Sequence, residues 1–291
     1  MHSYLKSIGF SETKSQAEIE QLILKVITNA AECGKYTRQD GITITEYTLQ
    51  TSSTCGVRVL GEEGEDKKFH YIYYFPFVKS RWTNSEEGIY INKRADTEAY
   101  TGMCEDTRIG ISLIFFLQNV LEYISQFEES RCINDEAVRF SALADEGRII
   151  LPTMAKEEDA ERQRRELKNK KHLIAEAKKG NQDAIESLTM SDIDKYAMVS
   201  ERIRREDLLS IVDTSIVPYG AETDMYNIMG YIEAVSTEKN LLTNEEVVIL
   251  AVSCNNIKID VSINRHDLLG EPEVGRRFRG NVWLQGKVLA K

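Results

Sequence analysis

The sequence predicts an α+β protein with an N-terminal mixed α/β domain over 1–152, a helical connector over 153–220 and a small C-terminal β-barrel-like domain over 221–291. Three observations carry this prediction. Helical and strand periodicities follow one another in the first half without a βαβ repeat. A stretch of almost unbroken helix formers succeeds Pro152. From Tyr226 onward, short apolar and β-branched segments are separated by Asn and Gly.

Ser15 followed by Glu18 fits a capping box, and Ile19, Leu22, Ile23, Val26 and Ile27 recur at helical spacing, which predicts a helix ending near Gly34. Alternation through Ile42, Ile44, Tyr47, Leu49, Val57 and Val59 predicts strands over 41–60, with the acidic GEEGED at 61–66 as an exposed hairpin turn. Phe69 to Val78, rich in Tyr and Phe, is the clearest strand of this half, and another is expected through Gly88 to Asn92. Leu113, Phe116, Leu117, Val120, Leu121 and Ile124 share one helical face, which predicts a helix from Ile109 to Phe127. Val138 to Leu143 and Arg148 to Leu151 read as a closing hairpin turned by Asp145, Glu146 and Gly147.

Beyond Pro152, residues 155–179 carry Glu–Arg and Glu–Lys pairs four apart, with Gly180 as C-cap. A short helix through Asp183 to Leu188 follows, and then one opened by Ser191 and Asp194 that runs to about Val212. The C-terminal segments 225–235, 246–253, 257–263 and 281–289 suit a small barrel. A partly open barrel of the oligonucleotide/oligosaccharide-binding (OB) kind is the most economical form, although only four of its five strands are visible.

Composition bounds the functional classes. The 291 residues are 42% hydrophobic and 29% charged, enough to bury a core. The net charge is -10, which disfavours a broad polyanion-binding role. Residues 1–150 hold 16 Lys+Arg against 23 Asp+Glu, so the acidity sits mainly there and leaves room for a local basic patch further on. Five scattered cysteines without a C-x-x-C pair fit reduced thiols. The N-terminus lacks an apolar leader segment, and the longest apolar run, Leu113 to Leu117, is too short to span a bilayer, so a cytoplasmic location and no membrane partner are expected.

The run Gly270 to Gly286, GEPEVGRRFRGNVWLQG, concentrates recognition-type residues. Arg276, Arg277 and Arg279, flanked by Gly275 and Gly280, supply three guanidinium forks for a phosphate or carboxylate. The competing reading pairs them with Glu271, Glu273 or Asp267 close by. Trp283, with Phe278, offers a stacking platform for a base or sugar, against the commoner role of a core tryptophan. The Arg202, Arg204, Arg205, Glu206, Asp207 run reads as a solvated or interdomain helix face. Asp213 and Asp224 flank a Pro-Tyr-Gly turn, where paired carboxylates usually cap turns. Cys104, ahead of the expected helix, is either a thiol of lowered pKa or an inert one. Four scattered histidines form no metal motif, and no nucleophile elbow, P-loop or dinucleotide fingerprint occurs. No catalytic residue, metal ligand or cofactor is therefore assigned.

The strings YLKSIGF, TRIGISLIFFLQN, GRIILP, AIESLT, EDLLSIVDTSIVPYG and GEPEVGRRFRGNVWLQG together resemble a bacterial family catalogued as a domain of unknown function, number 3881. They span nearly the whole chain. The resemblance implies an intracellular protein of Gram-positive anaerobes and carries over no activity, cofactor, partner or site residue. The expectation from the residues is a non-enzymatic binding or scaffolding protein whose C-terminal β unit engages a protein partner or small anion. One alternative is an enzyme acting on a phosphorylated or acidic small molecule in an interdomain cleft. The other is a single-strand nucleic-acid binder, disfavoured by the lack of basic–aromatic interleaving. The sequence leaves the oligomeric state open.

Overall fold

A computed structural model describes residues 2–38, 41–63, 68–85, 87–94, 99–106, 111–127, 132–133, 137–152, 169, 172–190, 212–255 and 257–289. The chain divides into two compact units, one formed by Met1–Ile150 with Thr214–Lys291 and the other by Leu151–Asp213. Among the described residues strand accounts for 54% and helix for 20%, so the fold is β-rich. The layout of separate N- and C-terminal domains is corrected: strands from both ends of the chain build one unit. Of the helical unit, 172–178 and 182–190 are helical, and Gly180 takes φ +85, the left-handed conformation of a C-cap. The helix expected from Ser191, the Arg202–Asp207 run and most of 155–171 lie outside the described residues.

The first unit opens with a 3-10 turn, His2–Ile8, and α1, Gln16–Thr28. Ser15 and Glu18 form the capping box that the sequence predicts, and Ile19, Leu22, Ile23 and Val26 are buried. Strands β1 (Glu32–Thr37), β2 (Thr43–Gln50), β3 (Cys55–Glu63) and β4 (Phe69–Val78) form an antiparallel sheet in sequence order. The β3–β4 turn falls largely outside the described residues.

Next come β5 (Asn84–Ser85), β6 (Glu87–Lys93), β7 (Tyr100–Asp106), β8 (Ile111–Leu117), α2 (Val120–Phe127), β9 (Cys132–Ile133) and β10 (Ala137–Ile150). The helix expected from Ile109 is half strand. Leu113, Phe115, Phe116 and Leu117 are all fully buried, so the C-terminal half of β8 is covered on both faces, and an unbroken apolar run fits either periodicity. The expected hairpin over 138–151 is a single strand: Asp145 sits at a bulge between Ala144 and Glu146 instead of a turn. A Cβ on Gly147 would strike the Phe278 ring, so this position of the bulged strand needs glycine.

The remaining strands are β11 (Ser215–Pro218), β12 (Met225–Lys239), β13 (Glu246–Cys254), β14 (Ile257–Asn264), β15 (Leu268–Leu269) and β16 (Arg277–Leu289). Asn255 links β13 to β14 at φ 49, where asparagine is tolerated. β12, β13, β14, β10 and β16 pair in that order, and β16 pairs back onto β12, closing a five-stranded barrel. The fifth strand missing from the C-terminal sequence is therefore β10. It runs parallel to β14 and antiparallel to β16. Past Trp283, β16 leaves β12 and joins β8 at Gln285 and Gly286, continuing the barrel into β8, β7, β6 and β9.

Buried amides tie these layers together. Gln118 Nε2 lies 2.9 Å from Ser141 Oγ and 2.7 Å from Gln285 Oε1, and Gln285 donates to the Pro76 carbonyl at 2.9 Å. Each hydrogen bond in such a network matters most when a partner is removed. Nearby, Arg58 reaches the Gln118 carbonyl at 2.7 Å and lies 3.6 Å from Glu46. Burial holds the Glu46 carboxyl above the usual carboxylate range, against the pull of Arg58. Its folded form favours the proton, so its contribution to stability is present below the unfolded pKa and is lost as pH rises through the folded value. Glu46→Gln is expected to flatten the fall in stability above the ordinary glutamate value of 4.5. Urea unfolding of both proteins at acid and neutral pH measures this; an unchanged fall refutes it.

Candidate functional site

On β16 side chains alternate between the barrel interior and its outer face. Phe278 and Val282 are fully buried with the core, whereas Arg277, Arg279, Asn281 and Trp283 share the other face. Flanking strands complete that face by register. Arg279 lies between Arg148 on β10 and Met229 on β12, and Asn281 lies between Glu146 and Asn227.

The outer face is polar in the middle. Asn227 Nδ2 donates to Asn281 Oδ1 at 2.7 Å, and Asn281 Nδ2 donates to Glu146 Oε1 at 3.0 Å. Arg279 Nε sits 3.5 Å from Asn227 Oδ1, long for a hydrogen bond. Arg148 is exposed and Arg279 half-buried. Among the described residues neither has a carboxylate within the 4.0 Å of an ion pair. Two arginines thus occupy directly opposite positions on neighbouring strands, a placement of like charges that is unfavourable unless an anion joins them.

The other sequence candidates fall elsewhere. Arg276 occupies the turn before β16, with Nη2 2.9 Å from Glu273 and Nη1 donating to the Glu271 carbonyl at 3.2 Å, so it follows the neighbouring-carboxylate reading. Arg277 is 3% exposed, with its guanidinium 4.0 Å from the Met229 sulfur.

Trp283 needs correction as a ligand platform. It is 3% exposed, covered by Tyr4 at 5.6 Å and Phe116 at 4.9 Å between ring centroids, and Phe278 is fully buried too. Neither ring offers a face to a base or sugar. The Trp283 indole N–H donates to Asp224 Oδ2 at 2.9 Å, and Arg94 lies 3.5 Å from the same oxygen. Asp224 therefore anchors the point where β16 changes partner, and Asp213 belongs to the helical unit. Near Tyr4, burial raises the Asp145 carboxyl above its ordinary range. Cys104 is buried within β7. It follows the inert-thiol reading. Cys254, also buried, is pushed up to about 12 by desolvation.

Arg148 is the residue that sequence reasoning missed. Nothing local marks it, because β10 also carries Arg139, Asp145 and Glu146 and its partner Arg279 lies more than a hundred residues downstream. Among the described residues no cluster of His, Cys, Asp or Glu suits a metal ion, and no helix is long and apolar enough to cross a membrane.

No curated protein and no solved structure matches the chain. One family model does, over residues 5–286; its description reads "Domain of unknown function, E. rectale Gene description (DUF3881)". Since that match covers nearly the whole chain, the protein belongs to the DUF3881 family.

Proposed function

We propose that the chain is a non-enzymatic binding or scaffolding protein that engages an anionic group of a ligand or partner on the outer face of its barrel, between Arg148 and Arg279. The single observation that carries this reading is the cross-strand arginine pair, which among the described residues has no carboxylate within ion-pair distance. Like charges directly opposite on neighbouring strands destabilise a sheet, whereas a bound oxyanion accepts hydrogen bonds from both forks. Beside the pair, Asn227 donates to Asn281, and Asn281 in turn donates to Glu146 and engages that carboxylate.

We further read the barrel as OB-like in permuted order. Counted from β12, the strands follow one another around the barrel as first, second, third, fifth and fourth, with the fifth, β10, supplied ahead of the first in sequence. OB barrels bind oligonucleotides across strands two and three, here β13 and β14. The outward side chains Asp260, Ser262 and Asn264 of β14 are fully buried. Asp260 accepts from the Arg81 amide at 2.8 Å, and Ser262 donates to the Ser7 carbonyl at 2.7 Å. That face is occupied by the chain's own N-terminal segments, which favours the arginine face as the recognition surface over a nucleic-acid groove.

Arg148→Glu is the discriminating variant. It is expected to weaken binding of inorganic phosphate or a hexaglutamate peptide at least tenfold in calorimetric titration. It should also raise stability by roughly 0.2–1 kcal/mol, because an opposite charge replaces a like one across the strands. Wild-type protein that binds neither probe, or a variant that binds both equally well, refutes the proposal.

A further inference from the structure

A carboxylate stands beside the arginine pair, and its position narrows the kind of anion that fits there. Resting on the reading just given, we infer that the ligand is a small zwitterion of net negative charge, in which an ammonium group lies a short aliphatic chain away from the carboxylate or phosphate that the arginines take.

Two neighbouring register rows on β10, β16 and β12 make up the site. One holds Arg148, Arg279 and Met229, and the next holds Glu146, Asn281 and Asn227. Direct hydrogen bonds join the second row from end to end: Asn227 donates to Asn281, whose own amide donates to Glu146 Oε1 at 3.0 Å. That last bond holds the Glu146 carboxylate within its own row. Glu146 and Arg148 are two residues apart on β10, about 7 Å along the strand, and both are exposed. Among the described residues no Lys, Arg or His lies within the 4.0 Å of an ion pair from Glu146, and no carboxylate does from Arg148 or Arg279. Charges of both signs therefore sit in adjacent rows without neutralising one another.

The two rows together carry two positive charges, Arg148 and Arg279, and one negative charge, Glu146. A plain dianion answers the guanidinium forks but meets Glu146 as a like charge. An ammonium on the same ligand turns that repulsion into attraction, because an ammonium has only donors and an ionised carboxylate only acceptors. Dicarboxylic amino acids and phosphorylated amines share this chemistry.

The test is titration of the full chain, followed by nuclear magnetic resonance, with two matched pairs of probes. Glutamate is compared with glutarate, which lacks the ammonium, and phosphoethanolamine with ethyl phosphate. In wild type the ammonium-bearing member of at least one pair should bind about fivefold more tightly, the upper end for an exposed ion pair. The pair with the larger preference names the source of the ligand. Glu146→Gln keeps an acceptor for Asn281 and removes the charge, so it should bind both members of that pair alike; thermal melting checks that it remains folded. Equal binding of both members of each pair by wild type, or a preference that survives in Glu146→Gln, overturns the zwitterion inference and leaves the anion site standing. Wild type that binds none of the probes, or binding that is unchanged in Arg148→Glu, would instead overturn the arginine face itself.

Discussion

A fragment comprising residues 221–291 alone is expected to be unfolded, although it contains four of the five barrel strands. Removing β10 opens the barrel between β14 and β16, so both strands lose a backbone partner. Phe140, Ala142 and Ala144, all fully buried, leave the core with it. The two exposed edges invite aggregation in place of folding. The N-terminal contacts go as well, including the Asn240 amide that reaches the Ile8 carbonyl at 2.7 Å and the Ser262 hydroxyl held by Ser7. Circular dichroism with urea should show no cooperative transition for the fragment and a cooperative one for the full chain. A fragment that melts cooperatively would mean that the C-terminal residues form an independent domain.

Trp283→Ala is the second change with a large expected effect, a loss of about 3–5 kcal/mol in stability, the range for truncating a buried aromatic side chain. The cost includes the packing against Tyr4 and Phe116, and it leaves Asp224, a fully buried carboxylate, without its indole donor. Trp283→Phe separates the two contributions by restoring most of the ring and omitting the N–H. A surface stacking platform would behave in the opposite way, losing ligand affinity while stability stayed within about 0.5 kcal/mol. Chemical denaturation of the two variants distinguishes these outcomes.

Local signals were legible in the sequence. The Ser15–Glu18 capping box, the aromatic richness of β4 and the Asn-bounded C-terminal strands each encode their conformation within a few residues, and the structure places them as expected. What failed was non-local. The run Leu113–Leu117 fits a helical pattern because Phe115, Phe116 and Leu117 are buried on both faces of β8, which removes the alternation that identifies a strand. Asp145-Glu146-Gly147 has turn composition, yet it bulges a continuous strand that is held by β16 along its length.

The site was half legible for the same reason. The arginines of β16 stood out in the sequence, but alternation alone could not say which face of β16 a second layer covers. Tyr4, from the far end of the chain, covers the Trp283 end of the outer face, and Arg148 completes the other end. Arg276 and Arg279 look equivalent in sequence. One lies in a turn that supplies its own carboxylate, and the other on a strand that does not.

The most direct measurement is a cross-link between the two strands that carry the site. Directly opposite residues on antiparallel strands have Cα atoms about 4.5–5.5 Å apart, within reach of a disulfide. The Arg148→Cys, Arg279→Cys protein, oxidised in its folded state, should yield a linked pair of peptides by mass spectrometry. Arg148→Cys with Arg276→Cys should not yield the corresponding pair. Failure of the first pair to link, or equal linking of both, would contradict the closure of the barrel by β10 and the paired arginines that rest on it.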